Sequence, residues 1–304
     1  MKAALTLSPG QDMVLKKLMP LARLATSSVC EKLPYTARTA SLIVGPSGIG
    51  KSHIARVLAK ELKLPLWEAN VASWMVMGSR ASTPTLESLA TWVANRKSGI
   101  IFLDEIDKIN GTTDWSNFIR LEIHDVLDGR ISENAIVPEG ISDLEMLTGD
   151  TTQRTRKEII KREIERKLRN NFMIVAAGAW QGAWLENCRS LGFNSHPAPA
   201  DSIDSKQILQ MIAPEIRQRF RIDISYLKPM SKADYQTVAA AIMNRLPKTL
   251  IIKFLTACVP AIDLAIDEGW GMRIFEDVLA DVWSKELDIH RGNDLAWTYL
   301  AKAR

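Results

Sequence analysis

A chain of 304 residues, 46% hydrophobic and 24% charged with a net charge of +4, has the balance of a soluble globular protein and the length for one large domain and a smaller one. Its three cysteines, Cys30, Cys188 and Cys258, are odd in number and widely spaced, which excludes a disulfide framework and a cysteine-based metal pattern and fits a reducing, cytoplasmic setting. The opening "MKAALTLSPGQD" is broken by Pro9 and Asp12 before an apolar core develops, and the run "FMIVAAGAW" is far too short to cross a bilayer, so neither a signal peptide nor a membrane association is expected.

In chain order, residues 1–39 read as a helical lead-in. "ASLIVG" (Ala40–Gly45) is a short buried strand running into a glycine-rich turn, and the helix after it carries Ile54, Val57, Leu58 and Leu62 on one face. "LPLWEA" is a second strand, and Leu86, Leu89, Ala90 and Val93 mark another helix. "GIIFLDE" (Gly99–Glu105) and "NFMIVAAG" are almost wholly apolar, as parallel strands covered on both faces should be. Strands alternating with helices predict a parallel sheet flanked by helices, an α/β domain over residues 1–228. Two polar stretches, "DGRISENAIVPEG" (Asp128–Gly140) and "FNSHPAPADSIDS" (Phe193–Ser205), have the composition of mobile loops. After about Leu227 the strand pattern stops. Ser231 can cap a helix with Tyr235, Val238 and Ile242 in register; Leu250–Leu255 and Ala261–Ile266 continue in helical style, and Phe275, Val278, Leu279 and Val282 give a last amphipathic helix. Residues 229–304 are therefore expected to form a small all-helical domain.

Two motifs carry chemistry. "GPSGIGKS" matches G-x-x-x-x-G-K-[ST] in full and lies between a strand and a helix, where such a loop must lie to hold phosphate. Along Gly45, Pro46, Ser47, Gly48, Ile49 and Gly50 the backbone N–H groups would wrap the phosphates of ATP. Lys51 would reach the β- and γ-phosphates, and the Ser52 hydroxyl would take Mg²⁺. "IIFLDEIDK" ends a buried strand in Asp104 and Glu105, at the edge of an α/β sheet where ligands bind. Asp104 suits the Mg²⁺ shell, and Glu105 suits polarisation of an attacking water. A third feature is charge: Arg154–Arg169, "RTRKEIIKREIERKLR", holds eight cationic and three anionic side chains. It reads either as a solvated helix with Ile160, Ile164 and Leu168 buried, or as a patch for nucleic acid or an acidic partner.

The phosphate loop, the "DEID" form of the second motif and the helical tail resemble the AAA+ ATPases. Further segments, in the right order from about residue 40 to about 285, are similar to the ClpX and HslU branch of Clp-type unfoldases. "FMIVAAGAWQGAW" resembles its sensor-1 strand, "MIAPEIRQRFRIDISYLKPMS" its arginine-finger segment and "GWGMRIFEDVLADV" its sensor-2 helix. The resemblance implies a P-loop AAA+ module with a helical lid, Arg219 as a finger supplied in trans to a neighbouring subunit, Arg273 as sensor 2, and a homo-oligomer, six copies by family expectation. Departures are visible too. Ala176, Ala177 and Gly178 stand where a polar sensor-1 side chain is usual, which leaves sensor 1 unassigned and points to slow hydrolysis. The pore-loop position holds "SWMVMGSR", with Val76, Met77 and Gly78 and with Trp74 just upstream; Trp74 or Met77 would grip a threaded chain, or else these residues pack locally. "LGF" (Leu191–Phe193) resembles a protease-docking loop in only three residues. The expectation is an ATP-driven remodeller of a partner, a protein first. The alternatives are a nucleic-acid-associated ATPase and an ATP-controlled scaffold.

Overall fold

The computed structural model describes residues 7–27, 29–32, 34, 37–76, 84–110, 114–138, 141, 152–180, 205–268 and 270–290. The apolar runs become strands β1 (Ser41–Val44), β2 (Leu66–Asn70), β3 (Gly99–Asp104) and β4 (Phe172–Gly178). A fifth, β5 (Ser225–Tyr226), is only two residues long and has no periodicity to betray it. All pair in parallel in the order β2-β3-β4-β1-β5. Every residue of β1 and β4 is buried, the pattern of strands covered on both faces. Around them lie α1 (Pro9–Ala25), α2 (Lys51–Leu62), α3 (Val71–Val76), α4 (Pro84–Ala94), α5 (Asp114–Leu127), α6 (Gln153–Asn170), α7 (Ser205–Met211) and α8 (Pro214–Arg217). Their apolar faces do what the spacing predicts. Ile54, Val57 and Leu58 of α2, Leu86, Leu89 and Val93 of α4, and Ile160, Ile164 and Leu168 of α6 are all buried.

The chain divides into two compact units: Gln11–Pro46 with Lys51–Lys228, and Met1–Gly10 and Ser47–Gly50 with Pro229–Arg304. In the smaller unit α9 (Lys232–Met243) starts at Ser231 with a full capping box, the Ser231 hydroxyl accepting from Asp234 N–H and the Asp234 carboxylate accepting from Ser231 N–H. The two helical pieces expected between Leu250 and Ile266 are one helix, α10 (Lys248–Glu268), continuous through Pro260. α11 (Arg273–His290) follows. Tyr235, Phe254, Cys258, Ile262, Phe275 and Val278 are part of this unit's own core. By length and composition alone α10 could cross a membrane, which the sequence reading did not anticipate. Within the unit, however, one face of it is core, and two of its charges pair with neighbouring helices, Asp263 with Lys232 at 2.6 Å and Lys253 with Glu286. In the same unit Gly48 and Gly271 meet backbone to backbone. Met272 N–H donates to Gly48 O at 2.8 Å, and a Cβ on Gly48, where φ is +80°, would lie 2.6 Å from Trp270 O.

Two sequence expectations are corrected. The polar stretch 128–138 is not a free loop: Ile131, Ala135 and Ile136 are buried in the main core, and Ser132 caps a short 3-10 turn at Glu133–Ala135. Trp74 is not a surface grip. It is fully buried on α3, edge-on to Trp67 at 6.3 Å, and its indole N–H donates to the buried Glu122 carboxylate of α5 at 3.0 Å. A large ring with a buried polar partner is structural. Trp74→Phe keeps an aromatic side chain but shrinks indole to phenyl and withdraws that donor, so it should lower unfolding free energy by about 1–3 kcal/mol in denaturant titration; an exposed gripping residue would leave stability within about 0.5 kcal/mol.

Candidate nucleotide site and the arginine segment

The phosphate loop follows β1, whose end is held by Gly45 N–H donating to Gly178 O of β4 at 3.2 Å. Gly48 and Gly50 have φ of +80° and +81°, a conformation that L side chains resist and that turns successive N–H groups inward. Lys51, 8% exposed, donates from Nζ to Gly45 O and Pro46 O, both at 2.7 Å. The ammonium is thus curled back over the loop, and it sits in the first turn of a twelve-residue helix with a positive dipole end. The Ser52 hydroxyl donates to Asp104 Oδ2 at 2.7 Å. These oxygens come from the start of α2 and the end of β3, and they converge on one point. Hydroxyl and carboxylate are the oxygen ligands that a hard divalent cation takes beside phosphate, so the pair fits Mg²⁺.

Asp104 Oδ1 accepts from Glu105 N–H at 2.9 Å, and Glu105 has φ +55°. A non-glycine residue in the left-handed region is strained by about 1–2 kcal/mol. The Glu105 side chain is exposed. Asp107, two residues on, does what the sequence reading missed: its Oδ1 accepts from Ala179 N–H at 3.1 Å and ties the end of β4 to the segment after β3. The sensor-1 position itself, Ala176–Gly178, is buried and apolar.

The arginine segment lies elsewhere on the larger unit. Ile216 and Phe220 are buried and anchor it, so Arg217, Arg219 and Arg221 are carried between and beside the anchors. Arg221 N–H donates to Ala40 O at 3.0 Å and its Nη1 to Arg38 O at 3.3 Å, at the start of β1; Arg217 Nη1 donates to Leu209 O at 3.3 Å. Among the described residues Arg219 alone of the three meets a carboxylate: its Nε lies 3.1 Å from Asp128 Oδ1, its Nη2 donates to Asp128 Oδ2 at 3.1 Å, and its Nη1 donates to Glu215 O at 2.7 Å. The segment therefore joins the amino end of β1, while Gly45, Lys51 and Ser52 stand at or beyond its carboxyl end. A four-residue strand at about 3.3 Å per residue puts these ends roughly 10–13 Å apart. His124 lies near Arg219. Burial first, then Arg219 and Arg120, hold its imidazole below the usual range.

Arg273 is exposed in the first turn of α11, in the smaller unit. Met77, Gly78 and Leu191–Phe193 lie outside the described residues. The basic helix α6 spends much of its charge internally. Arg166 pairs with Glu163 and Glu31, Arg169 with Glu165 and Gly129 O, and Lys161 with Glu165, while Lys167 donates to Ala94 O. Arg154 and Arg162 are exposed.

Comparison with known proteins agrees with this geometry over the first part of the chain. Residues 41–138 match the family model described as "ATPase family associated with various cellular activities (AAA)". The chain is 32% identical over 75 residues to the replication factor C large subunit of Sulfurisphaera tokodaii, covering 25% of this chain and 17% of that protein. It is also 32% identical over 68 residues to the ATP-dependent zinc metalloprotease FtsH of Thermus thermophilus, covering 22% of this chain and 11% of that protein. The chain thus spans less than a fifth of the length of these relatives, and neither is named as a ClpX or HslU protein. Residues 41–138 are thus similar to the AAA ATPase family, and the five-stranded parallel sheet with its phosphate loop agrees with that match.

Proposed function

We propose that the chain binds ATP with Mg²⁺ and hydrolyses it at sites shared between copies of itself, using the cycle to remodel a macromolecular partner that is a protein. The observation that carries the shared site is the separation just described: Arg219 stands at the amino end of β1, and the phosphate loop and the Ser52–Asp104 pair stand at the other. A guanidinium placed there serves a phosphate held by the next copy. It stays charged and offers a planar fork of donors to the charge that develops during transfer. Mg²⁺, when bound, would neutralise phosphate charge. The chain's own residues do the rest: Lys51 and the loop N–H groups orient the phosphates, and Glu105 aligns the attacking water. Arg273 would read the nucleotide as sensor 2.

The order of segments supports the ClpX and HslU branch, six copies in a ring, and a cytoplasmic setting in which the buried thiols of Cys30 and Cys258 stay reduced; burial raises both above the usual thiol range, Cys258 to about 11. With Trp74 in the core, any gripping of a threaded chain falls to the segment holding Met77 and Gly78. One observation favours a second reading, nucleic acid as the partner: Arg154 and Arg162 are exposed on α6. ATPase stimulation by DNA or RNA that collapses as salt is raised supports it, and indifference to nucleic acid removes it.

Three variants test the shared site. Lys51→Ala should abolish nucleotide binding in a fluorescent-nucleotide titration. Arg219→Ala should bind normally and hydrolyse about a thousandfold more slowly. Mixed with Lys51→Ala, it should recover part of the turnover, because each variant lacks a different half of the site. Glu105→Gly separates strain from chemistry: thermal unfolding should show a gain of about 1 kcal/mol from the relieved left-handed backbone, while single-turnover hydrolysis is lost.

A further inference from the structure

The carboxylate that meets Arg219 belongs to Asp128. Three arginines stand in one segment, yet among the described residues the side chains of two are served by backbone carbonyls. Arg219 receives Asp128, 91 residues away in sequence, through a hydrogen bond from Nη2, while Nε lies 3.1 Å from the other carboxylate oxygen without a hydrogen bond to it. The Glu215 carbonyl takes Nη1 from its own turn. Two acceptors from two different segments fix both the position and the plane of the fork.

Asp128 is itself held in place. α5 ends in a Schellman motif, with Gly129 in the left-handed region at φ +68°, Arg130 N–H donating to Asp125 O at 2.7 Å and Gly129 N–H to Val126 O at 3.0 Å. A Cβ on Gly129 would lie 2.4 Å from Cγ of Arg169, so the turn is pressed against α6. Arg130 Nη2 also donates to Asp128 Oδ2 at 2.9 Å. The Arg219 and Asp128 side chains are 24% and 29% exposed. An ion pair this open to water adds little to stability, so stability alone does not account for it. A carboxylate touching a cation that must stabilise phosphate also draws off part of its charge. What the contact supplies in return is geometry.

We propose that Asp128 is a positioning residue for Arg219, holding the guanidinium so that it presents its remaining N–H groups to the nucleotide of the neighbouring copy. The proposal rests on the reading of Arg219 as a group acting in trans. It predicts that Asp128→Asn, of the same shape, lowers kcat for ATP about 10- to 100-fold while KM changes less than about threefold, since a small misplacement of a catalytic group costs rate and spares ground-state binding. Asp128→Glu, which keeps the charge, should retain more activity than Asp128→Asn. The decisive comparison uses the full-length protein in four forms: unaltered, Asp128→Asn, Arg219→Ala and the double variant. If Asp128 works through Arg219, the double variant is no slower than Arg219→Ala alone. A further multiplicative loss in the double variant overturns the proposal, as does an unchanged or raised kcat in Asp128→Asn; a raised rate would mean that the carboxylate restrains the arginine instead. If Arg219→Ala itself hydrolyses at the normal rate, the trans reading falls and the proposal falls with it, an outcome distinguishable from the other two.

Discussion

Four residues set the geometry on which the rest depends. β1 pairs with β4 on one side and β5 on the other, and its rigid length keeps two kinds of positive charge apart. At its carboxyl end the chain turns through glycines into α2, where Lys51 curls back over the loop and Ser52 meets Asp104 at the end of β3. At its amino end the Ala40 and Arg38 carbonyls take Arg221 and so fix the segment that carries Arg219. Parallel pairing makes this separation unavoidable. Every strand of the sheet offers its carboxyl end to the phosphate loop side, so a group anchored at the amino end is turned away from it. The phosphate loop and Arg219 therefore stand at different edges of the sheet.

At the phosphate edge, local conflicts mark where chemistry sits. Lys51 is buried with backbone carbonyls as its described acceptors, and the Ser52 hydroxyl leans on the Asp104 carboxylate. Glu105 holds a backbone conformation that only glycine adopts freely. Elsewhere in the larger unit Lys63 and Trp180 also take positive φ, +55° and +43°, while β3 and β4 are built largely of buried apolar residues.

What could be read directly from the sequence was what is local. β1, β3 and β4 are continuous apolar runs, and the phosphate loop is eight adjacent residues whose glycine spacing has a mechanical reason. The helical register of α2, α4, α6 and α9 repeats within two turns. What could not be read is what depends on partners far along the chain. Trp74 looked like a gripping residue beside two methionines, but its partner Glu122 is 48 positions on. Asp128 looked like the start of a polar loop, because its composition said nothing of Ile131 and Ile136 reaching the core or of Arg219. β5 is two residues long and exists only because β1 is there to pair with it. β4 was legible as a strand; the bond from Asp107 to Ala179 N–H at its end was not.

The central claim is that one copy's Arg219 completes the site built by another copy's Lys51, Ser52 and Asp104. The most direct measurement is a density map of the Glu105→Gln variant assembled with ATP and Mg²⁺. The account predicts nucleotide at the boundary between two copies, with the Arg219 guanidinium of one within hydrogen-bond distance of the γ-phosphate held by the other. Nucleotide bound with Arg219 distant from every phosphate, or a protein that stays a single copy when loaded, would contradict it.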